Sequence, residues 1–90
     1  MQAGRSILLN ADITTDNGNL NLYANETLAS GVVDAQRDAG AAVITMAAGA
    51  AINAGTGAVD IQIKTGLGLT NNTSGDITLR DITAGSVLVK

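Results

Sequence analysis

Apolar and polar residues alternate with a period of two in several short runs, and each run follows a glycine. The clearest runs follow Gly18, Gly57, Gly75 and Gly85. The run after Gly40 has the same alternation, and the run after Gly4 has it with one extra residue. Period-two alternation predicts strands with one buried and one solvated face, and glycine gives a tight corner its backbone freedom. The chain is therefore predicted to be a series of strands, each entered from a turn.

The alternating runs recur at intervals that suggest a solenoid. If Ile7, Leu20, Ile44, Ile61 and Ile77 are equivalent, one repeat takes on average about 17.5 residues, a length typical of repeated strand-turn units. Shorter apolar segments follow the runs, at Ile13, Leu28, Ile52, Leu67 with Leu69, and Ile82. We therefore expect an all-β fold, a right-handed parallel β-helix (solenoid) of roughly four to five coils.

Turn residues separate the predicted strands. Clusters of Asn, Asp, Thr, Ser and Gly occupy 15–18, 53–57 and 71–75, and such residues tolerate positive φ or bond their own backbone. The segment 30–39 makes one coil longer than its neighbours. It is interpreted as a third strand over 32–34 followed by an excursion at 35–39 that could hold one helical turn.

The alternation also predicts which side chains form the core. One face should point inward and stack from coil to coil: Leu20, Leu22, Ile44, Met46, Val59, Ile61, Ile63, Ile77 and Leu79. The other face should point outward: Asn19, Asn21, Thr45, Asp60, Gln62 and Thr78. Tyr23 is the one aromatic residue, and the chain has no Pro, Cys, His, Trp or Phe. A narrow interior filled by Ile, Leu, Val and Ala suits this composition better than a conventional globular core does.

Charge and composition exclude several classes of partner. Five Lys and Arg residues and a net charge of -3 argue against a nucleic-acid partner, because they cannot form a stripe that follows phosphates. The absence of Cys argues against a disulfide scaffold. The longest apolar stretch, 41–51, is much shorter than the roughly 20 residues of a membrane span.

Three segments resemble the degenerate repeats of filamentous haemagglutinin-type adhesins, the large exoproteins of Gram-negative bacteria. They run from Gly18 to Ala24, from Ala48 to Gly57 and from Gly75 to Ala84. The resemblance covers nearly the whole chain. It implies a β-helix secreted through an outer-membrane transporter by two-partner secretion, acting at the cell surface in adhesion or as a toxin-delivery stalk. Residues 1–90 are interpreted as one β-helix segment, an internal slice of a longer chain whose flanking coils are its first partners.

The acidic residues raise the alternative of a carbohydrate-active β-helix enzyme, either a polysaccharide lyase or a hydrolase. If Ile61 and Ile77 stack, Asp60 and Asp76 lie about 5 Å apart and could act as acid and base. The other interpretation is that both are solvated strand residues beside Lys64 and Arg80, and we favour it because no His and no aromatic sugar platform accompany them.

Two segments, 16–18 and 73–76, offer oxygen ligands for calcium. Neither matches a known calcium-binding loop, so both are interpreted as turns. Glycosylation sequons at Asn25, Asn71 and Asn72 are interpreted as turn residues as well. The sequence thus predicts no catalytic, cofactor-binding or metal residue.

Two functions follow as hypotheses. The first is a non-enzymatic structural shaft of a secreted surface adhesin, giving length and stiffness, with weak contact to host or neighbouring cell surfaces. The second is the carbohydrate-active domain, which needs a groove with converging carboxylates. The short predicted turns favour the shaft.

Overall fold

The computed structural model describes residues 1–25, 40–64 and 74–90, and every structural statement below concerns these residues. They form strands and turns without a helix, so the all-β prediction is confirmed. The strands are β1 (Ile7–Leu9), β2 (Ile13–Thr14), β3 (Leu20–Ala24), β4 (Ala42–Met46), β5 (Ala51–Asn53), β6 (Ala58–Ile63), β7 (Ser74–Thr78), β8 (Asp81–Thr83) and β9 (Ser86–Val89). The predicted strand at 32–34 and the excursion at 35–39 lie outside the described residues.

The nine strands form three parallel sheets. Sheet 1 has the order β1-β4-β7, sheet 2 the order β2-β5-β8, and sheet 3 the order β3-β6-β9. The chain therefore visits the three sheets in the same sequence three times, and we call these visits pass 1 (β1–β3), pass 2 (β4–β6) and pass 3 (β7–β9). The register places identical or similar side chains above one another: Ile7, Ile44 and Ile77; Ile13, Ile52 and Ile82; Leu20, Val59 and Val87.

The repeat is longer than the one predicted. Ile7, Ile44 and Ile77 are equivalent as expected, but Leu20 and Ile61 lie in sheet 3 instead of sheet 1. One pass therefore takes about twice the predicted repeat length, and the described residues make three passes rather than four to five coils. The predicted spacing is thus wrong. The error arose because the strands of sheets 1 and 3 share one pattern, a glycine followed by period-two alternation.

The core lies between the three sheets and is densest in pass 2. Ile44, Ile61 and Ala42 have no exposed surface, and Met46, Ile52 and Val59 are about 1% exposed. In pass 1, Leu22 and Ala24 are also fully buried. Leu20 of pass 1 and Ile77 and Leu79 of pass 3 are half-buried against the core. The predicted inward and outward faces of the strands are confirmed: Asn19, Asn21 and Thr78 are exposed, and Thr45, Asp60 and Gln62 are half-buried.

Two of the three predicted turn clusters, 15–18 and 53–57, form corners, whereas Ser74 and Gly75 of the third belong to strand β7 and were wrongly predicted as a turn. Asp16 and Asn17 adopt φ of 50° and 69°, and Asn53 Oδ1 accepts the backbone N–H of Gly55 at 3.0 Å. Gly18 and Gly57 hold the same corner in successive passes, because each lies two residues before its aligned strand position. A Cβ on Gly57 would collide with the carbonyl group of Gly18. This corner therefore requires glycine for close approach of the two backbones.

Candidate functional site

The one extended polar cluster that the described residues show lies on the outer face of sheet 3. Tyr23 comes from β3, Asp60 and Gln62 from β6, Lys64 directly follows β6, and Lys90 directly follows β9. Strand alternation turns these side chains away from the core because their neighbours Leu22, Ile61 and Ile63 point inward. The parallel register then brings Tyr23 beside Gln62. We call these five residues the sheet-3 cluster.

Hydrogen bonds and one ring contact join most of the cluster. The Tyr23 hydroxyl donates to Asp60 Oδ2 at 2.8 Å, and Gln62 Nε2 donates to Asp60 Oδ1 at 2.7 Å. Lys64 Nζ donates to Gln62 Oε1 at 3.1 Å and lies 4.4 Å from the centre of the Tyr23 ring. Both oxygens of the carboxylate are thus bonded, and the lysine also gains a cation–π contact.

The environment of Asp60 favours its charged form. The hydrogen bond from Gln62 lowers the pKa of the Asp60 carboxyl most, while partial burial acts against this. The bond from Tyr23 and the positive charges of Lys64 and Lys90 lower the pKa further. Asp60 therefore stays ionised at neutral pH. A general acid needs a raised pKa, so this carboxyl is poorly suited to that role.

The predicted acid and base pair is not formed. Asp60 lies in β6 of sheet 3, where it aligns with Asn21 and Leu88, whereas Asp76 lies in β7 of sheet 1. The stacking of Ile61 on Ile77 that would have paired them is wrong, because Ile61 aligns with Val89. Lys64 does neighbour Asp60, but the Arg80 guanidinium donates to the Met46 carbonyl instead.

A cleft of about 400 Å³ opens beside the cluster, between the ends of sheets 3 and 1. Its described lining consists of Gln62, Ile63, Lys64, Ser74, Gly75, Ile77 and Lys90. The described lining side chains include two cations and no carboxylate.

The remaining candidates of the sequence are structural where they are described. The segment 16–18 is a turn whose Asn17 Oδ1 accepts the Thr56 N–H at 3.1 Å. Asn25 is fully buried with φ of 54°, and its Nδ2 donates to the Lys64 carbonyl at 2.7 Å. Thr73, Asn71 and Asn72 lie outside the described residues, and residues 74–76, which were interpreted as a turn, belong to strand β7. The described residues hold no group of three or more His, Cys, Asp or Glu that could bind a metal.

Sequence reasoning missed a row of side-chain acceptors at the corners of pass 1. Ser6 Oγ accepts the Val43 N–H at 3.1 Å, Asp12 Oδ1 accepts the Ala51 N–H at 2.8 Å, and Asn19 Oδ1 accepts the Ala58 N–H at 2.9 Å. Each acceptor directly precedes a strand and bonds the backbone of the next pass. The signal is a polar residue before the first inward residue of a strand, which the wrong repeat length concealed.

The same positions in pass 3 again hold polar residues. Asp76 precedes Ile77 as Ser6 precedes Ile7, and the register aligns Asp81 with Ala51 and Ser86 with Ala58. All three are exposed on the edge strands β7, β8 and β9. Pass 1 and pass 3 thus carry acceptors at these corners, and the pass between them carries Val and Ala.

Comparison of the chain with family models, with curated proteins and with solved structures gives no match. Within the described ranges, no helix has the length and apolarity required to cross a membrane.

Proposed function

We propose that this chain is a structural segment, a right-handed parallel β-helix that gives length and stiffness to a secreted surface adhesin of the filamentous haemagglutinin type. The observation that carries the proposal is the repeated order of the strands. Three passes visit three parallel sheets in one order with their side chains in register. An architecture that repeats along one axis supports a rod, since each pass contacts only its neighbours.

The polar chemistry of the surface supports the same role. The carboxylate of the sheet-3 cluster bonds to its own neighbours, and the pass 1 acceptors bond to the backbone of pass 2. These groups stabilise the stack and do not converge on a substrate. The secretion and adhesion parts of the proposal are supported by the resemblance of the repeats at 18–24, 48–57 and 75–84.

The dimensions set the length that one chain contributes. Three passes at about 4.8 Å span roughly 14 Å along the axis. A stiff shaft would therefore need many such segments in line.

A tandem protein tests this function. In sheet 3, Gln2 aligns with Tyr23, and Tyr23 aligns with Gln62. Ile61 aligns with Val89, so the next residue of each strand also aligns, Gln62 with Lys90. Lys90 therefore occupies the same position along sheet 3 as Gln2. Joining Lys90 directly to Ala3 of a second copy therefore keeps the register.

We expect small-angle scattering from this tandem protein to show one rigid body that is longer by about 14 Å. Two copies that carry Val89→Pro and are joined by a flexible Gly/Ser linker are the control. They should scatter as two independent bodies, because proline removes a backbone N–H from the edge that a second copy could bind. A tandem protein that scatters like the control would contradict the shaft.

A further inference from the structure

The edge of pass 1 in sheet 3 is already covered by a short parallel segment of the same chain. The Met1 ammonium donates to the Asn21 carbonyl at 2.7 Å, the Tyr23 N–H donates to the Met1 carbonyl at 2.9 Å, and the Ala3 N–H donates to the Tyr23 carbonyl at 2.9 Å. Met1–Ala3 thus acts as an added strand on β3, on the side opposite β6. We call its position the β3 slot.

Strand β9 has the register to fill the β3 slot of another molecule. The Lys90 N–H donates to the Ile61 carbonyl and the Lys90 carbonyl accepts the Ile63 N–H, both at 2.9 Å, so Lys90 bonds inward to β6. Because alternate residues of a parallel strand bond to opposite sides, the N–H and carbonyl of Val89 point to the free edge. If Lys90 takes the position of Gln2 in the β3 slot of a second molecule, Val89, which precedes Lys90, takes the position of Met1.

We propose that β7, β8 and β9 bind the β1, β2 and β3 edge of a second copy of this chain, head to tail, with Val89 replacing Met1 in the β3 slot. The Val89 N–H then donates to the Asn21 carbonyl of the second molecule, and the Val89 carbonyl accepts its Tyr23 N–H. Met1–Ala3 of the second molecule must leave the slot, so this segment limits the association.

The two remaining sheets supply matching contacts. In pass 1, the side chains of Ser6, Asp12 and Asn19 accept backbone N–H groups of pass 2. The equivalent positions at the edge of pass 3 hold Asp76, Asp81 and Ser86. In the proposed contact, these three side chains accept the backbone N–H groups of Ser6, Asp12 and Asn19, respectively, in the second copy. One pair is unfavourable, because this register sets Asp81 beside Asp12 of the other molecule.

The surface at the pass 3 end of the stack is apolar enough for such a contact. Val87, Leu88 and Val89 are 48%, 46% and 44% exposed. Each added molecule continues the stack along the same axis and does not return to the first, so the product is an open chain of molecules.

Sedimentation of the full chain over a range of concentrations tests the proposal. A chain lacking Gln2 and Ala3 should associate at least tenfold more tightly than the intact chain, because the β3 slot is open. Asp81→Asn should also strengthen association, since the amide oxygen keeps the acceptor and the like charge is gone. Asp81→Ala should associate more weakly than Asp81→Asn, because it loses the charge and the acceptor together.

Proline at the free edge gives the sharpest comparison. Val89→Pro removes an N–H that points away from β6 and should abolish association, and Val89→Ala, which keeps the N–H, should retain it. If the shortened chain fails to fold, the Val89 pair and protection of the Val89 amide from hydrogen exchange at high concentration remain decisive. Equal association of Val89→Pro and Val89→Ala, or monomers throughout, would overturn the proposal. The tandem protein separates this outcome from failure of the shaft, since its two copies are covalently joined.

Discussion

The column of Ile13, Ile52 and Ile82 places one kind of side chain in each of the three passes and so isolates the effect of stacking. The register aligns the three residues in sheet 2, but only Ile52 lies between two passes. It is 1% exposed, whereas Ile13 and Ile82 are half-buried. Truncation of an enclosed isoleucine to alanine costs about 2–5 kcal/mol, because the lost transfer free energy is increased by a cavity.

We expect Ile52→Ala to lower the free energy of unfolding by about 2–5 kcal/mol, a large part of the roughly 5–15 kcal/mol of a typical domain. Ile13→Ala and Ile82→Ala should each cost about 1–2 kcal/mol, since half of the side chain is already solvated and no closed cavity forms. Urea unfolding followed by far-UV circular dichroism measures all three variants. Equal costs at the three positions, or a cost below about 1 kcal/mol at Ile52, would refute a stacked interior centred on pass 2.

Three further perturbations test the corners and the sheet-3 cluster. Gly57→Ala should cost about 1–3 kcal/mol in urea unfolding, because its Cβ meets the Gly18 backbone; unchanged stability would contradict the shared corner. Asn25→Gly should cost about 1–3 kcal/mol by removing the amide bond to Lys64 while keeping the positive φ, and Asn25→Ala should cost more. The lowered pKa of Asp60 means that the folded state binds this proton less readily than the unfolded chain, so its contribution to stability is present above about pH 4 and is lost as the pH falls through the folded value. Stability of Asp60→Asn should therefore depend less on pH below about 4, and an unchanged acid profile in that variant would contradict the cluster.

Local pattern predicted the strands and their faces but could not predict their partners. The alternation around Leu22, Ile44 and Ile61 depends on neighbouring residues only, and the structure confirms which of these side chains point inward. Which strands pair is decided by contacts between residues far apart in the chain, as in the alignments of Val59 with Val87 and of Leu20 with Val59. Glycine-led runs in sheets 1 and 3 look alike in the sequence, so the periodicity could not separate them.

The sheet-3 cluster was hidden for the same reason. Tyr23 and Asp60 are 37 residues apart and meet only because β3 and β6 pair in one register. Reasoning from single residues interpreted Asp60 as a solvated strand residue beside Lys64, with a pair of Asp60 and Asp76 as the alternative, and did not connect Asp60 with Tyr23. The correct repeat length would have placed Tyr23 beside Gln62 directly.

The length of one pass is the central claim, and an insertion measures it. Leu8, Thr45 and Thr78 align on the outer face of sheet 1, and the chain has no cysteine, so spin labels on Leu8→Cys and Thr78→Cys report a separation of two passes, about 10 Å. Duplicating residues 40–73 should add one pass, lengthen this distance by about 5 Å and keep the cooperative fold. Duplicating only residues 57–73 should disrupt the register. The contradicting result is that the shorter duplication adds about 5 Å, one strand spacing, and the longer duplication adds about 10 Å. One pass would then be half as long as the structure indicates.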